Sequence, residues 1–596
     1  MTLPLPTLIT TLTTLTTIYT LYKLLALTQN YFIARRTRLP IFISPIPSTS
    51  ILWQILGPTF QRQLQQCLPE WIYVRLDVLM HGWEFRQRAK LHHRLGKVFV
   101  VVTMDECSLC VADPAVSTSI LARRKDFVQP PVVARFLGFF GPNVLQSNGE
   151  DWQRQRRIIA PNLNENIMRT VWGESVRQAG EMGDFLTRGS GGISDDDEKK
   201  EKKKKNEGSN DTLTGLRTLA INVLGQAGYG QNAPWTPDFD FSDTGTSSNS
   251  TSDQTSGRVS YFKTIAMVTD RFIEAALIPG WIKQLPFMPA YLQRLGREME
   301  RVPGYIRGIL DEERNSSSSS ASSSDFSATA TATATASGGK SGGESEDRKT
   351  RGGNLLDLLV KFSDTNTNIN ANIDKDGLYL TESEISGNLW VFTAAGFDTT
   401  ATTMGYAVML LAAYPEWQEW VREELHSLSV EKWRYEDVFT RCTRLLAVMY
   451  ETLRLYTPVL HITRSISTPQ QLHSTLGTHN LTPPMNVYVS SQCIHRDADI
   501  WGEDVDEFRP GRWIDPSSGG LVVPEKGTFV PWSGGPRVCP GMKMSQVEFV
   551  GTMAVLFCGR RCEARRRLTA LMEDSVPKLT LQVRRPEEVV LRWVEL

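Results

Sequence analysis

The stretch Trp532-Ser-Gly-Gly535-Pro-Arg537-Val-Cys539-Pro-Gly541 decides how this chain is read. An aromatic, a glycine, an arginine, a cysteine and a glycine at these fixed offsets arise by chance at roughly one start in a few million, given average residue frequencies. Each position has a physical task. A cysteine that ligates a metal must be a thiolate, which amides and a helix N-terminus stabilise, and Gly541 followed by a helical stretch to Phe557 supplies such a terminus. The glycines before Cys539 let the backbone turn tightly and approach a flat ring. Arg537 is placed to meet a carboxylate of that ring, and Trp532 to pack beside the sulfur and shield it. The competing reading, a buried structural cysteine in a glycine-rich turn, leaves so improbable a pattern unexplained.

Outward from this loop the pattern is mainly helical. Residues 212–228, 261–278, 291–314, 381–413, 416–427 and 435–455 have helical apolar spacing, whereas strand-like runs such as 97–103 and 487–490 are short. The expected fold is therefore mainly α with a minor β region. Thr381-Glu-Ser-Glu384 is a capping box, in which the Thr381 hydroxyl and the Glu384 carboxylate each satisfy an end-of-helix amide, so a long helix should run from there to about Ala413, before Pro415. Three stretches, 189–210, 243–257 and 315–353, are too polar or too small-chained to build a core and read as solvated insertions. The lysines at 199–205 are interleaved with acids, which favours a surface loop over a targeting patch.

Composition narrows the functional classes. In 596 residues the formal net charge is zero, which leaves no basic excess for a nucleic-acid partner. The eight cysteines (Cys67, Cys107, Cys110, Cys442, Cys493, Cys539, Cys558 and Cys562) are spread thinly, unlike a disulfide framework, and point to a reducing compartment. Cys107-Ser-Leu-Cys110 lacks a second such pair, so packing is the better reading than zinc. The first charged side chain is Lys23 and the first acid is Glu70. Residues 3–22 would cross a bilayer core as a helix of about 20 residues, with Arg35, Arg36 and Arg38 as a basic flank that keeps the remainder cytosolic. The threonines, Pro4 and Pro6 leave the segment only moderately apolar, and an acid-free, Arg-flanked start also suits a transit peptide. The expected organisation is an anchor with its flank over 1–38, then one large domain over 39–596.

On the cysteine loop the chain resembles the cytochrome P-450 family, whose haem-binding loop reads Phe-x-x-Gly-x-Arg-x-Cys-x-Gly. Trp532 stands where the family has Phe, which leaves the ligand assignment intact and changes the surroundings of the sulfur. The resemblance runs from about Lys97 to the C-terminus, interrupted by the insertions. It implies a cytochrome P-450 fold in which Cys539 ligates the iron of heme b and Trp532, Gly535, Arg537 and Gly541 shape the loop. Ala395-Gly396-Phe-Asp398-Thr399-Thr400 matches the family's acid-alcohol motif. There Gly396 would give room for dioxygen, Thr399 a hydroxyl for the reacting oxygen and Asp398 a proton source. Glu451-Thr-Leu-Arg454 matches the Glu-x-x-Arg pair, with Arg512 of Phe508-Arg-Pro510-Gly-Arg512-Trp513 completing a structural network. Trp152 and Arg156 match Trp-x-x-x-Arg and, four residues apart, share a helix face from which to grip a haem propionate. Arg464 is the third propionate contact by the same resemblance. His495-Arg496-Asp497 matches a supporting segment, in which His495 reads as a satisfied buried histidine.

The resemblance implies a monooxygenase that takes two electrons from a reductase, splits dioxygen and inserts one oxygen atom into an apolar small molecule. By position, substrate would meet residues 130–146, the helix face near Trp390 and Ala394, and residues 459–462. No flavin or ferredoxin module is evident, so electrons are expected from NADPH through a separate partner resembling the membrane-bound NADPH-cytochrome P-450 reductase. The expected site is the endoplasmic reticulum membrane with a cytosolic catalytic domain, mitochondria being the alternative. The insertions and Thr-rich start resemble fungal members of secondary metabolism. Two other functions stay open: a haem-thiolate isomerase or dehydratase needing no reductase, which often lacks an Asp398-Thr399 type of pair, and a non-catalytic haem-binding gas sensor.

Overall fold

Val98–Val102 and Cys107–Val111 are buried on both faces, as a near-continuous run of β-branched and apolar side chains requires, and they pair antiparallel at the centre of a five-stranded sheet. Its order is Ile41–Ile43, Val98–Val102, Cys107–Val111, Met485–Val489, Ile462–Ile466. Alternation sorts the side chains into two cores. Val98, Val100 and Val102 join Leu109, Val111, Val487 and Val489 on one face, while Phe99, Val101 and Cys110 meet Phe42, Val74, Trp83 and Leu91 on the other. Ile462–Ile466 and Met485–Val489 alternate buried and half-buried positions, so they are wetted on one side. In this computed structural model, which describes residues 5–44, 46–47, 50–188, 208–237, 257–325, 354–363, 379–428 and 433–596, that sheet belongs to the first of two compact units. The first unit comprises Met1–Val132, Tyr450–Cys539 and Ser575–Gln582.

The second unit, Val133–Met449, Pro540–Asp574 and Val583–Leu596, is built on helices. Its centre is Glu382–Ala413, most of whose side chains are buried, and Thr381 caps it in the expected box with Glu384. Asp211–Tyr229 packs between this helix and Glu165–Arg188, and Met542–Cys558 lies along Glu165–Arg188. A two-stranded sheet, Arg560–Ala564 with Leu591–Glu595, is antiparallel. The observed fold is therefore mainly helical with minor sheet. Two expected helices are broken: 261–278 divides at Arg271 into Gly257–Asp270 and Phe272–Leu277, and 435–455 divides at Cys442 before Thr443–Leu455.

At the N-terminus, residues 5–22 of the expected span fall within a longer helix, Leu5–Arg36, and no described helix is long and apolar enough to cross a membrane. The C-terminal part of this helix packs into the first unit. Ala34 is fully buried in the first unit's core, Leu27, Tyr31 and Ile33 pack against it, and the Asn30 amide donates to the Thr103 carbonyl at 3.1 Å. Of the insertions, residues 189–207, 243–256 and 326–353 lie outside the described residues. Their described edges take part in regular structure: Ser209 pairs with Leu591, Gly257 starts a helix, and the backbone of 315–325 completes the helix Ala290–Asp325.

Candidate functional site

In the first unit the cysteine loop is closed by its own backbone. The Cys539 N–H donates to the Trp532 carbonyl at 2.9 Å and the Val538 N–H to the Gly535 carbonyl at 3.1 Å, across the 3-10 turn Gly535–Arg537. Gly535 has φ +63° and a Cβ there would sit 2.3 Å from the Leu121 carbonyl oxygen, so both the dihedral and the space require glycine. Trp532 meets Tyr450 edge-on at 5.8 Å and Phe529 at 6.2 Å. Pro540 and Gly541 lead on into Met542–Cys558, with Gly541 at the N-cap position. Cys539 is exposed. Burial pushes the thiols of Cys107 and Cys442 to about 12, and those of Cys110, Cys493 and Cys562 well up, none of which suits a thiolate. Cys107 and Cys110 sit in one buried strand, and among the described residues they join no group able to hold a metal.

Behind the loop is a buried ionic network in the same unit. The Arg454 guanidinium donates to both Glu451 oxygens at 2.9 Å, and to the carbonyls of His495, Val505 and Glu507 at 3.1, 2.6 and 3.1 Å. Glu451 also accepts from Arg512 Nε at 3.0 Å, Arg509 N at 3.0 Å and Trp513 Nε1 at 2.9 Å. Burial would raise the Glu451 carboxyl, but Arg454 and Arg512 outweigh it and hold it below the usual range. His495 is fully buried and its Nε2 accepts from the Val530 N–H at 2.9 Å, two residues before Trp532. Burial, then the Arg454 charge, pulls His495 down to about 3, so it is a neutral strut beneath the loop.

Arg464, in the strand Ile462–Ile466, is 3% exposed and donates to the Thr463 carbonyl at 2.7 Å. Burial, with no acid opposing it, pulls this guanidinium down to about 10. A buried cation without a carboxylate fits an anionic group such as a propionate.

In the second unit, the long helix shows accessibility along one line. Phe392, Ala395, Gly396, Thr399 and Thr402 are half-buried while their neighbours are buried, and at this spacing they share a face. Thr399 lies on that line, its hydroxyl donating to the Ala395 carbonyl at 2.7 Å. Asp398, about 100° around the helix, is buried and turned toward Arg217, whose Nη2 is 3.7 Å away and 2.9 Å from Asp270. A Cβ on Gly396 would meet the Leu224 side chain at 3.3 Å, so this glycine also accommodates the helix Asp211–Tyr229. Trp390 and Ala394 are buried, and Trp390 packs against Phe139, tilted at 5.5 Å, and Phe140, edge-on at 5.4 Å, both within the 130–146 stretch expected near substrate. In helix Gly149–Ile159, Trp152 is buried beside Val144 and Ile159, Arg156 is half-buried one turn on, and Arg157 faces solvent. Arg217 and Asp270 escaped the sequence reading, because residues so distant in the chain leave no local spacing signal.

Comparison with known proteins places these features in a family. The family model described as Cytochrome P450 matches residues 245–557. The chain is 28% identical to a phomenoic acid biosynthesis cluster cytochrome P450 monooxygenase of Leptosphaeria maculans, covering 91% of this chain and 90% of that one. It is 25% identical to a cytochrome P450 monooxygenase of Penicillium rubens, over 88% and 86%, and 23% identical to one of Arthrobotrys oligospora, over 88% and 86%.

Proposed function

The chain belongs to the cytochrome P450 family and is thus a haem-thiolate monooxygenase, an oxidoreductase working with dioxygen, a substrate and a redox partner; from that premise we propose that Cys539 is the thiolate that ligates a heme b iron. The observation that carries this assignment is the contrast among thiols. Cys539 is exposed at the end of a loop whose Gly535 admits no side chain, whereas Cys107, Cys110, Cys442, Cys493 and Cys562 are buried and Cys67 has no such loop. When bound, heme b supplies the iron on which dioxygen is reduced and split, with the thiolate donating electron density. In the first unit Arg464 and Arg537 would hold its propionates, the buried charge of Arg464, which meets no carboxylate among the described residues, being the strongest support; in the second unit Trp152 and Arg156 are the candidates that the motif names. Glu451, Arg454 and Arg512 keep the loop's foundation rigid.

Proton delivery falls to Asp398 and Thr399. Arg217 holds Asp398 about 100° around the helix from the accessible line, so the carboxylate, once it leaves the guanidinium, would take a proton from solvent water and pass it through water to the Thr399 hydroxyl. Thr399 presents its oxygen lone pairs to the open side while its own proton rests on the Ala395 carbonyl. This pair favours oxygen activation over the isomerase and gas-sensor readings. The substrate is an apolar small molecule, a secondary metabolite; in the second unit the half-buried helix face at Phe392 and Ala395 is the candidate contact, and in the first unit it is Val459, which is 45% exposed. A relative named for a biosynthesis cluster supports that class.

Electrons would come from NADPH through a separate NADPH-cytochrome P450 reductase at the endoplasmic reticulum membrane. Membrane attachment of the helix Leu5–Arg36 is supported by its threonines, since the hydroxyls of Thr14, Thr16, Thr17 and Thr20 donate to carbonyls one turn back at 2.7–2.8 Å. A hydroxyl satisfied within its own helix is less costly to place in lipid than its hydropathy suggests. The deciding experiment is the optical spectrum of the ferrous carbon-monoxide complex. Cys539→Ala should lose the red-shifted thiolate Soret band, and a normal band in that variant would refute the ligand assignment.

A further inference from the structure

The segment from Arg454 to Arg464 joins the buried ionic network to the lone buried guanidinium, and one ion pair holds its middle. His461 Nδ1 lies 2.6 Å from Glu84 Oε1, with side chains 19% and 1% exposed. Glu84 comes from the short helix Trp83–Gln87, and its second oxygen is buried without a partner. Burial pushes the Glu84 carboxyl up, but the His461 charge and hydrogen bond outweigh it and hold it below the usual range. Burial pulls His461 down, but Glu84 outweighs that and raises it.

The groups around the pair carry little opposing charge. His81, whose ring is 6.0 Å from that of His461, is pulled to about 4 by burial and stays neutral. Tyr488, with its ring 4.9 Å away, and the thiols of Cys110 and Cys493 are pushed well up by burial and are neutral too. Arg86 faces the same cluster and is engaged by Asp77 at 2.6 Å. A buried ion pair rarely adds net stability over an apolar pair of the same volume, so its use here asks for a role in position.

What it positions is visible in the backbone beside it. The Pro458 carbonyl accepts from Leu581 N at 3.0 Å and the Leu460 carbonyl from Gln492 N at 3.1 Å, while Leu460 and Ile462 are buried. Val459 alone turns outward between these fixed points. We propose that Glu84 and His461 are positioning residues that fix the turn carrying Val459 and so set how tightly an apolar chain is held there. The proposal rests on the reading of Val459 as substrate-facing.

The test uses the holoenzyme and two probes that ligate the iron, imidazole and 1-dodecylimidazole, whose affinity ratio isolates the alkyl chain's contacts. Glu84→Gln and His461→Gln should keep the thiolate carbon-monoxide band yet lower that ratio at least about fourfold, the equivalent of one lost methylene contact. In the unaltered enzyme the ratio should fall on the alkaline side. His461 has a raised pKa, so the pair's contribution is present below it and lost as pH rises through it. A ratio that does not fall at alkaline pH in the unaltered enzyme overturns the proposal even if the variants fail to take up haem. A ratio unchanged in both variants, with Val459→Phe shifting it, overturns the positioning role alone. A ratio unchanged in Val459→Phe as well overturns the substrate-facing reading and the proposal with it.

Discussion

Glu451 is the residue whose loss the structure prices most clearly. Its carboxylate is fully buried and accepts from Arg454 at both oxygens, from Arg512 Nε, from Arg509 N and from the Trp513 indole. Glu451→Ala leaves the Arg454 charge buried without its acid, which costs about 3–5 kcal/mol, and orphans the Arg509 and Trp513 donors at about 1–3 kcal/mol each before relaxation. Even with partial relaxation the loss is of order 5 kcal/mol, comparable with the net stability of many domains. Little haem-loaded protein should accumulate. Glu451→Gln keeps one acceptor and should lose about half as much. The double change Glu451→Met with Arg454→Met asks a sharper question, because for a simple buried pair removing both charges restores stability. Here it should not, since the carbonyls of His495, Val505 and Glu507 also depend on Arg454. The assay is urea unfolding of the holoprotein followed by Soret and far-UV signals. A double variant as stable as the parent would refute the argument. The depressed Glu451 pKa gives a pH arm as well: its contribution is present above the ordinary carboxylate value and lost as pH falls through the depressed one, so Glu451→Gln should flatten the acid limb of stability.

Gly535→Ala must relieve a 2.3 Å approach to the Leu121 carbonyl at a positive φ, so its carbon-monoxide band should fall by more than half at equal expression, which difference spectroscopy measures directly. Thr399→Ala should keep that band but divert NADPH consumption to hydrogen peroxide, with product per NADPH falling several-fold toward the roughly 100-fold scale of a general acid-base group; unchanged coupling would point to another proton route. A chain starting after Tyr22 should keep its haem and leave membranes more readily on fractionation, whereas one starting after Arg38 should lose haem, because Ala34 and Asn30 are built into the first unit.

Much of this was legible because the signals are local. The capping box at Thr381 depends on residues three apart, and it appears as read. The Glu451-Arg454 spacing places both side chains on one helix face, and Arg512 completes the pair as expected. Helix breaks were harder: apolar spacing continues through Arg271 and Cys442, where only tertiary packing ends the helix. Hydropathy counted the threonines of the first helix as polar without knowing that their hydroxyls turn back on the backbone. It also gave no sign that Ala34, near the end of that helix, packs into a sheet core. Helical period fixes which residues share a face but not what packs on it, and only the fold shows Phe139 and Phe140 against Trp390.

The residues that sequence could not reveal have a common character. Arg217 lies 181 positions before Asp398, and Glu84 lies 377 positions before His461, as their numbers give; both are charges whose meaning depends on a partner delivered by the fold. Read singly, each is an ordinary helix residue, since an arginine or glutamate in a helix is usually solvated. Burial changes that, because an ion removed from water must find an opposite charge, so the location of every buried charge names a partner the sequence does not. On the proposed roles, this sets a division of labour near the long helix. Thr399 sits on the accessible line and can meet the reacting oxygen, while Asp398 is withheld from it by Arg217, itself shared with Asp270. A proton donor on a tether that must be released is better insulated from idle proton flow than one permanently in contact with the open face. The motif in the sequence specifies the acid and the alcohol; the arginine that holds them apart enters only with the fold.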